Sequence, residues 1–258
     1  MDLQLSGKTA IVTGASRGIG LAITRGLIGE GVRVVAAARG GADELRELGA
    51  VPVITDLTAP DGPAAVMEAA AQEFGTLDIL VNNVGAVRPR TGGFASVTAQ
   101  DWTATLAVNF LAAVHVTRLA LPLLTAQGSG SIITISSVNA ALPDPLVIDY
   151  SAAKAALTSF CKALSKETGP HGVRVNTISP GPVATDLWLG SGGVAETIAG
   201  VAGATPDAVA TAAVADTPTR RFTEPGEVAD LVLFLASPRA GNITGADFAI
   251  DGGLKPTL

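Results

Sequence analysis

Short apolar runs recur along the whole chain, and the stretches between them carry a helical period. The runs are Ala10 to Val12, Val32 to Ala37, Val51 to Ile54, Ile79 to Val81, Ile132 to Ile135, Val173 to Ile178 and Phe248 to Ile250. Each is continuously apolar, the pattern of strands covered on both faces. Helical periodicity fills Ile19 to Gly29, Gly62 to Phe74, Gln100 to Thr125, Tyr150 to Thr168 and Glu224 to Ala236. Strand alternating with helix predicts parallel units joined by right-handed crossovers. The expectation is one doubly wound α/β domain over residues 1–258, with a seven-stranded parallel sheet and helices on both faces. Leu187 to Asp216 breaks the rhythm. It is rich in Ala, Gly and Thr, shows no clear strand, and is expected to be a functional loop or lid.

Composition narrows the function. Of 258 residues, 48% are hydrophobic and 16% charged, too apolar for disorder. The net charge is −6 and the basic residues are scattered, which disfavours nucleic acid as a main partner. The single cysteine, Cys161, forms no intrachain disulfide and reads as a small buried apolar residue. With two histidines, His115 on a helix and His171 in a turn, no metal site is expected. The first residues lack a basic segment followed by an apolar one, and no uninterrupted apolar run reaches ~18 residues. A soluble cytoplasmic protein without membrane contact is expected.

Two local patterns carry chemistry. The first strand ends in Thr13-Gly14-Ala15-Ser16-Arg17-Gly18-Ile19-Gly20 and runs straight into a helix. Glycines there permit a tight turn and close approach to a phosphate, which the helix N-terminus attracts with free N–H groups. This is the setting of a Rossmann-type dinucleotide site. The second pattern is Tyr150-Ser151-Ala152-Ala153-Lys154, which contains the only tyrosine. Four residues apart on a helix, Tyr150 and Lys154 share a face. An ammonium nearby favours the phenolate and is expected to lower the phenol's pKa.

These patterns, with Asn82-Asn83-Val84-Gly85, Asn109, Ser137, Pro180-Gly181-Pro182-Val183-Ala184-Thr185 and Asp251-Gly252-Gly253, resemble the short-chain dehydrogenases/reductases over essentially the whole chain. Val84 stands where the family usually has Ala, a small apolar exchange. The resemblance implies that Tyr150 exchanges the proton with the substrate oxygen, that Ser137 hydrogen-bonds that oxygen, and that Lys154 tunes Tyr150 and binds the nicotinamide-side ribose. It implies that Asn109 holds a water linking Lys154 to solvent, while Ser136 is structural. Gly14, Ser16, Arg17, Gly18, Ile19, Gly20, Asp56, Leu57, Asn83, Gly85, Pro180, Gly181, Val183 and Thr185 would contact the cofactor, Asp56 at the adenine amino group. The family also pairs long helices into homotetramers or dimers, for which Leu106, Phe110 and Leu119 offer an apolar face.

At the end of the second strand, an acid would bind a ribose 2′-hydroxyl, whereas Arg accommodates a 2′-phosphate. Val34-Val35-Ala36-Ala37-Ala38-Arg39 carries no acid, and Arg17 adds a second cation, so NADP(H) is favoured over NAD(H). Arg88 and Arg90 are expected as solvated loop residues, with contact to an acidic substrate as the rival. These residues favour an NADP(H)-dependent carbonyl reductase or alcohol dehydrogenase acting on a small molecule, mildly hydrophobic by the lid's composition. Its rivals are a 3-oxoacyl thioester reductase serving an acyl carrier, and a non-catalytic NADP(H) sensor or scaffold. The carrier rival would want basic residues near the rim, with Arg88, Arg90, Lys162 and Lys166 as candidates. The sensor rival gives no reason to retain Tyr150 and Lys154.

Overall fold

The computed structural model describes residues 1–256. In chain order its elements begin with β1 (Thr9–Thr13), α1 (Gly18–Gly29), β2 (Arg33–Ala38), α2 (Ala42–Glu47), β3 (Val51–Ile54), α3 (Gly62–Phe74) and β4 (Ile79–Asn82). Next come α4 (Ala99–Leu106), α5 (Ala112–Gln127), β5 (Gly130–Ile135), α6 (Ile148–Thr168) and β6 (Val173–Pro180). The last are α7 (Asp186–Leu189), α8 (Val194–Ala202), α9 (Pro206–Ala213), α10 (Pro225–Ala236) and β7 (Asp247–Ile250). All seven strands lie parallel in one sheet, ordered β3-β2-β1-β4-β5-β6-β7.

The apolar runs are strands because their side chains are buried on both sides. Ala10, Val12, Val34, Ala36, Ile79, Val81 and Ile133 enter the core beneath α1 and α10. Ile11, Val35, Leu80, Ile132 and Val175 enter the opposite core beneath α3, α5 and α6. Gly26 of α1 permits a close approach to α10, where an added Cβ would lie 3.2 Å from Leu233 Cδ1. From β3 the chain crosses back to place β4 beside β1, and strand order reverses there. In open parallel sheets such a switch point leaves a crevice at the carboxyl ends of the strands. The turns after β1, β2, β4, β5 and β6 all meet at that edge.

Two expectations need amending. The 187–216 connection is largely helical, carrying the end of α7 and all of α8 and α9. Its alanines are strong helix formers, and glycines at 190, 192, 193 and 203 divide it into pieces too short to show a period. The long helix expected over 100–125 is α4 and α5 joined through a π-helical turn at Ala107–Leu111, with Pro122 inside α5. Such turns concentrate at functional sites, and Asn109 is its buried residue.

Candidate active site

The crevice is a cleft of about 1170 Å³. At one end the chain leaves β1 through the glycine turn. Gly14 (φ 66°) and Gly18 (φ 53°) sit in the left-handed region. At Gly20 a Cβ would lie 2.1 Å from Gly14 O, so no larger residue fits. The turn delivers the open N-terminus of α1 to the cleft. Ser16, Arg17, Gly18, Ile19 and Gly20 all line it, and Arg17, at the N-cap, makes no capping bond with its side chain. The cradle therefore fits a dinucleotide pyrophosphate.

Asn83 braces this turn. Its Nδ2 donates to Thr13 O (2.9 Å) and Gly14 O (3.1 Å). Its backbone N–H and that of Val84 donate to Thr13 Oγ1, at 2.9 and 3.1 Å. Thr13 thus joins the ends of β1 and β4, a part that its place in the motif did not reveal. Arg39 and Asp56 lie beyond the glycine turn, with Leu57 buried beneath. The Asp56 carboxylate accepts from Thr58 N (2.8 Å) and Oγ1 (2.7 Å), which hold it below the ordinary carboxylate range despite slight burial, with Arg39 adding a smaller effect. Arg17 and Arg39 are exposed and form no salt bridge among the described residues.

At the other end, Ser137 follows β5, and Tyr150 and Lys154 occupy the first turns of α6. All three line the cleft, together with Gly14, Gly85, Pro180, Gly181, Val183 and Thr185. Lys154 is 3% exposed; its Nζ donates to Ile135 O (2.8 Å) and lies 5.7 Å from the Tyr150 ring centroid. Burial lowers the Lys154 pKa from 10.5 to about 8. Burial also raises the Tyr150 phenol above 10.0, with the Ser137 hydroxyl acting in the opposite direction. The shift runs opposite to the lowered phenol expected from the ammonium, because desolvation is the leading cause and outweighs the Ser137 hydroxyl. Both groups are pushed toward their neutral forms.

Asn109 does not line the cleft with the others. Its Nδ2 donates to Ala86 O (2.8 Å) and Thr105 O (3.0 Å), and its Oδ1 accepts from Ala86 N (3.0 Å). The side chain is fully engaged with backbone, so a water link from Asn109 to Lys154 would fall to its main chain. Asn109 still lies close, since a Cβ on Gly85 would be 3.0 Å from its Oδ1 and 3.5 Å from Lys154 Nζ. Ser136 also lines the cleft, but its Oγ is engaged with Thr158 Oγ1 (2.7 Å). Cys161 is buried.

The two loop arginines part company. Arg88 is exposed at the cleft, as expected of a solvated residue. Arg90 is not solvated: its side chain is 10% exposed and paired with Asp149 and Asp101. No sequence signal joined these residues, because the partners lie on elements far apart in the chain. Asn139 was also missed; its N–H donates to Ser137 Oγ (3.2 Å) and orients that hydroxyl. The lid supplies Leu187, Trp188, Val194, Ile198 and Ala213 to the same cleft, with Trp188 edge-to-face on Phe222 at 5.7 Å.

A glycine turn, a braced Asn, and a Ser-Tyr-Lys set around one cleft define a dinucleotide-dependent oxidoreductase. Residues 14–255 match a family model described as Enoyl-(Acyl carrier protein) reductase. A 3-oxoacyl-[acyl-carrier-protein] reductase of Vibrio cholerae is 34% identical, over 98% of this chain and 99% of its own. L-fucose dehydrogenase of Bos taurus is 36% identical, over 99% of this chain and 92% of its own. The structure of L-sorbose reductase from Gluconobacter frateurii, solved with NADPH and L-sorbose, matches with a TM-score of 0.91 at 34% identity, covering 100% of both chains. The chain belongs to the short-chain dehydrogenase/reductase family, and it is an oxidoreductase of carbonyl or alcohol compounds with a nicotinamide cofactor.

Proposed function

We propose that this enzyme is an NADP(H)-dependent reductase of an uncharged, partly apolar carbonyl compound, acting through Ser137, Tyr150 and Lys154. The observation that carries this reading is the convergence of those three side chains on the cleft that also holds the glycine turn. The bound nicotinamide would supply or accept the hydride. Tyr150, held protonated by burial, is suited to donate a proton to the carbonyl oxygen. Ser137 would hydrogen-bond the same oxygen and fix its distance from the phenol. Lys154 would contact the ribose, and its ammonium would offset the negative charge left on Tyr150.

Preference for NADP(H) is supported by Arg17 and Arg39, both unpaired with acids among the described residues, and by Ala38 at the position of a ribose-binding acid. The related L-sorbose reductase was solved with NADPH. The substrate end is largely apolar, with Leu142, Leu146, Val147, Leu187, Trp188 and Ile198. An acyl-carrier substrate, suggested by the Vibrio relative, would need cations at the rim. Arg90 is withdrawn into ion pairs, and neither Lys162, whose Nζ donates to Gly245 O (2.6 Å), nor Lys166 lines the cleft, which leaves Arg88 of those four. A free small molecule is therefore preferred.

A homotetramer or dimer is part of the same proposal. Leu106 and Phe110, expected on the outer face, are half-buried, and Phe110 packs edge-to-face on Phe160 of α6. Leu119 is exposed as expected, and Leu111 and Leu123 complete the stripe with it. A cytoplasmic setting accords with a free buried thiol. The test is NADPH and NADH oxidation with L-sorbose, cyclohexanone, ethyl acetoacetate and the acetoacetyl thioester of N-acetylcysteamine. A higher kcat/KM with NADH, or turnover confined to the thioester, overturns the corresponding part of the reading.

A further inference from the structure

Residues 83–89 line the cleft, as do Asn139 and residues 142–147, which lead into α6. Arg90 ties the two together. Its backbone N–H donates to Leu146 O (2.6 Å). Its guanidinium reaches Asp149, the residue before Tyr150, through Nε to both carboxylate oxygens (3.3 and 3.1 Å) and through Nη2. Nη1 donates to Asp101 Oδ1 (2.9 Å) on α4, and Thr105 Oγ1 donates to Asp149 Oδ2 (2.7 Å). Burial opposes ionisation of Asp149, but the bonds from Arg90 and Thr105 outweigh it and hold the carboxyl below its ordinary range. The other end of the same loop segment is tied by Ala86 to Asn109.

A buried ion pair of this kind is a poor source of stability, because well-packed apolar side chains often serve as well. It does offer direction: the planar fork of Arg fixes the distance and angle between the groups it joins. Here the joined groups are the loop facing the substrate and the first turn of the helix bearing the proton donor. A displacement of about 1 Å at a reacting centre costs on the order of a hundredfold in rate.

We propose that Arg90 is a positioning residue, holding the first turn of α6, and with it Tyr150, in register with the Ala86–Arg90 wall of the cleft. The contact is remote from the glycine turn that would hold the pyrophosphate, so cofactor affinity should change much less than kcat. This inference rests on the Ser137-Tyr150-Lys154 reading, and Tyr150→Phe is the control that separates the two. If that variant retains near-normal turnover, the reading itself fails. If it is inactive while the Arg90 variants are normal, the positioning role alone fails.

The experiment compares Arg90→Lys, Arg90→Ala, Asp149→Asn and the apolar double variant Arg90→Met/Asp149→Leu. Each is measured with NADPH and whichever carbonyl of the four named above is turned over fastest. The expected result is a loss of kcat of roughly tenfold or more, with NADPH dissociation constants within about twofold of wild type and unchanged stoichiometry. Arg90→Lys should recover part of the loss seen in Arg90→Ala. The double variant addresses folding directly, since it should melt near the wild-type temperature and remain slow. Wild-type kcat in that variant, or a loss of kcat in the single variants that only tracks the loss of NADPH-binding sites, would overturn the proposal.

Discussion

Replacing Lys154 with Met should make the cofactor-free protein more stable near neutral pH while abolishing its chemistry. Burial depresses the ammonium from 10.5 to about 8. The unfolded chain therefore binds the proton more tightly than the native one. At 1.36 kcal/mol per pH unit, holding Lys154 charged in the native state costs about 3 kcal/mol at any pH below about 8. That cost shrinks as pH rises from about 8 and vanishes above 10.5, where the amine is neutral in both states. Met has a similar length and no charge, but it forfeits the bond from Nζ to Ile135 O, worth roughly 1–2 kcal/mol. The net gain is about 1–2 kcal/mol near neutral pH, or roughly 2–8 °C in Tm for a chain of this size. Above pH 10.5 the sign reverses, because only the lost hydrogen bond remains. Thermal melts of cofactor-free wild type and Lys154→Met across this range test the argument. A variant that melts lower near neutral pH, or a difference that does not change with pH, refutes it. If the variant is stabilised as expected, the cost is one the native protein tolerates for the sake of a charge beside Tyr150.

Other outcomes follow from the same geometry. Tyr150→Phe should lower turnover by about a hundredfold or more with NADPH still bound. Because Tyr150 is the only tyrosine, phenolate absorbance in the wild type reports on it alone and should rise only above pH 10.0, its ordinary value. A transition below that value would contradict the desolvated site. Ala38→Asp combined with Arg39→Ser should reverse the NADPH-to-NADH ratio of kcat/KM. A single charge-assisted contact supplies about one to two powers of ten, and an unchanged ratio would place the phosphate contact elsewhere. Leu119→Glu with Leu123→Glu should reduce the sedimenting mass if the exposed α5 stripe is an interface. A monomeric wild type at micromolar concentration would remove that proposal.

The fold was legible because continuous apolar runs have few uses outside a covered parallel sheet. The glycine turn was legible for a similar reason: Gly14, Gly18 and Gly20 sit next to one another in sequence, and their constraint is local. Tyr150 and Lys154 were likewise readable as neighbours on one helical face. Only tertiary structure could decide what depends on contacts between distant segments. Arg90 and Asp149 stand 59 positions apart with no trace of their pairing in the sequence, so Arg90 read as solvated until the fold buried it. That the Ala86 backbone engages the Asn109 amide, leaving any water link to the main chain, was likewise not readable in the sequence. The lid's helices were hidden because α7, α8 and α9 are too short to show a period and are held by packing on one another and on the cleft. The phenol's upward displacement was hidden as well. Sequence placed a charge four residues from Tyr150, but the sign of the net effect depends on how much water the surrounding chain excludes from both groups.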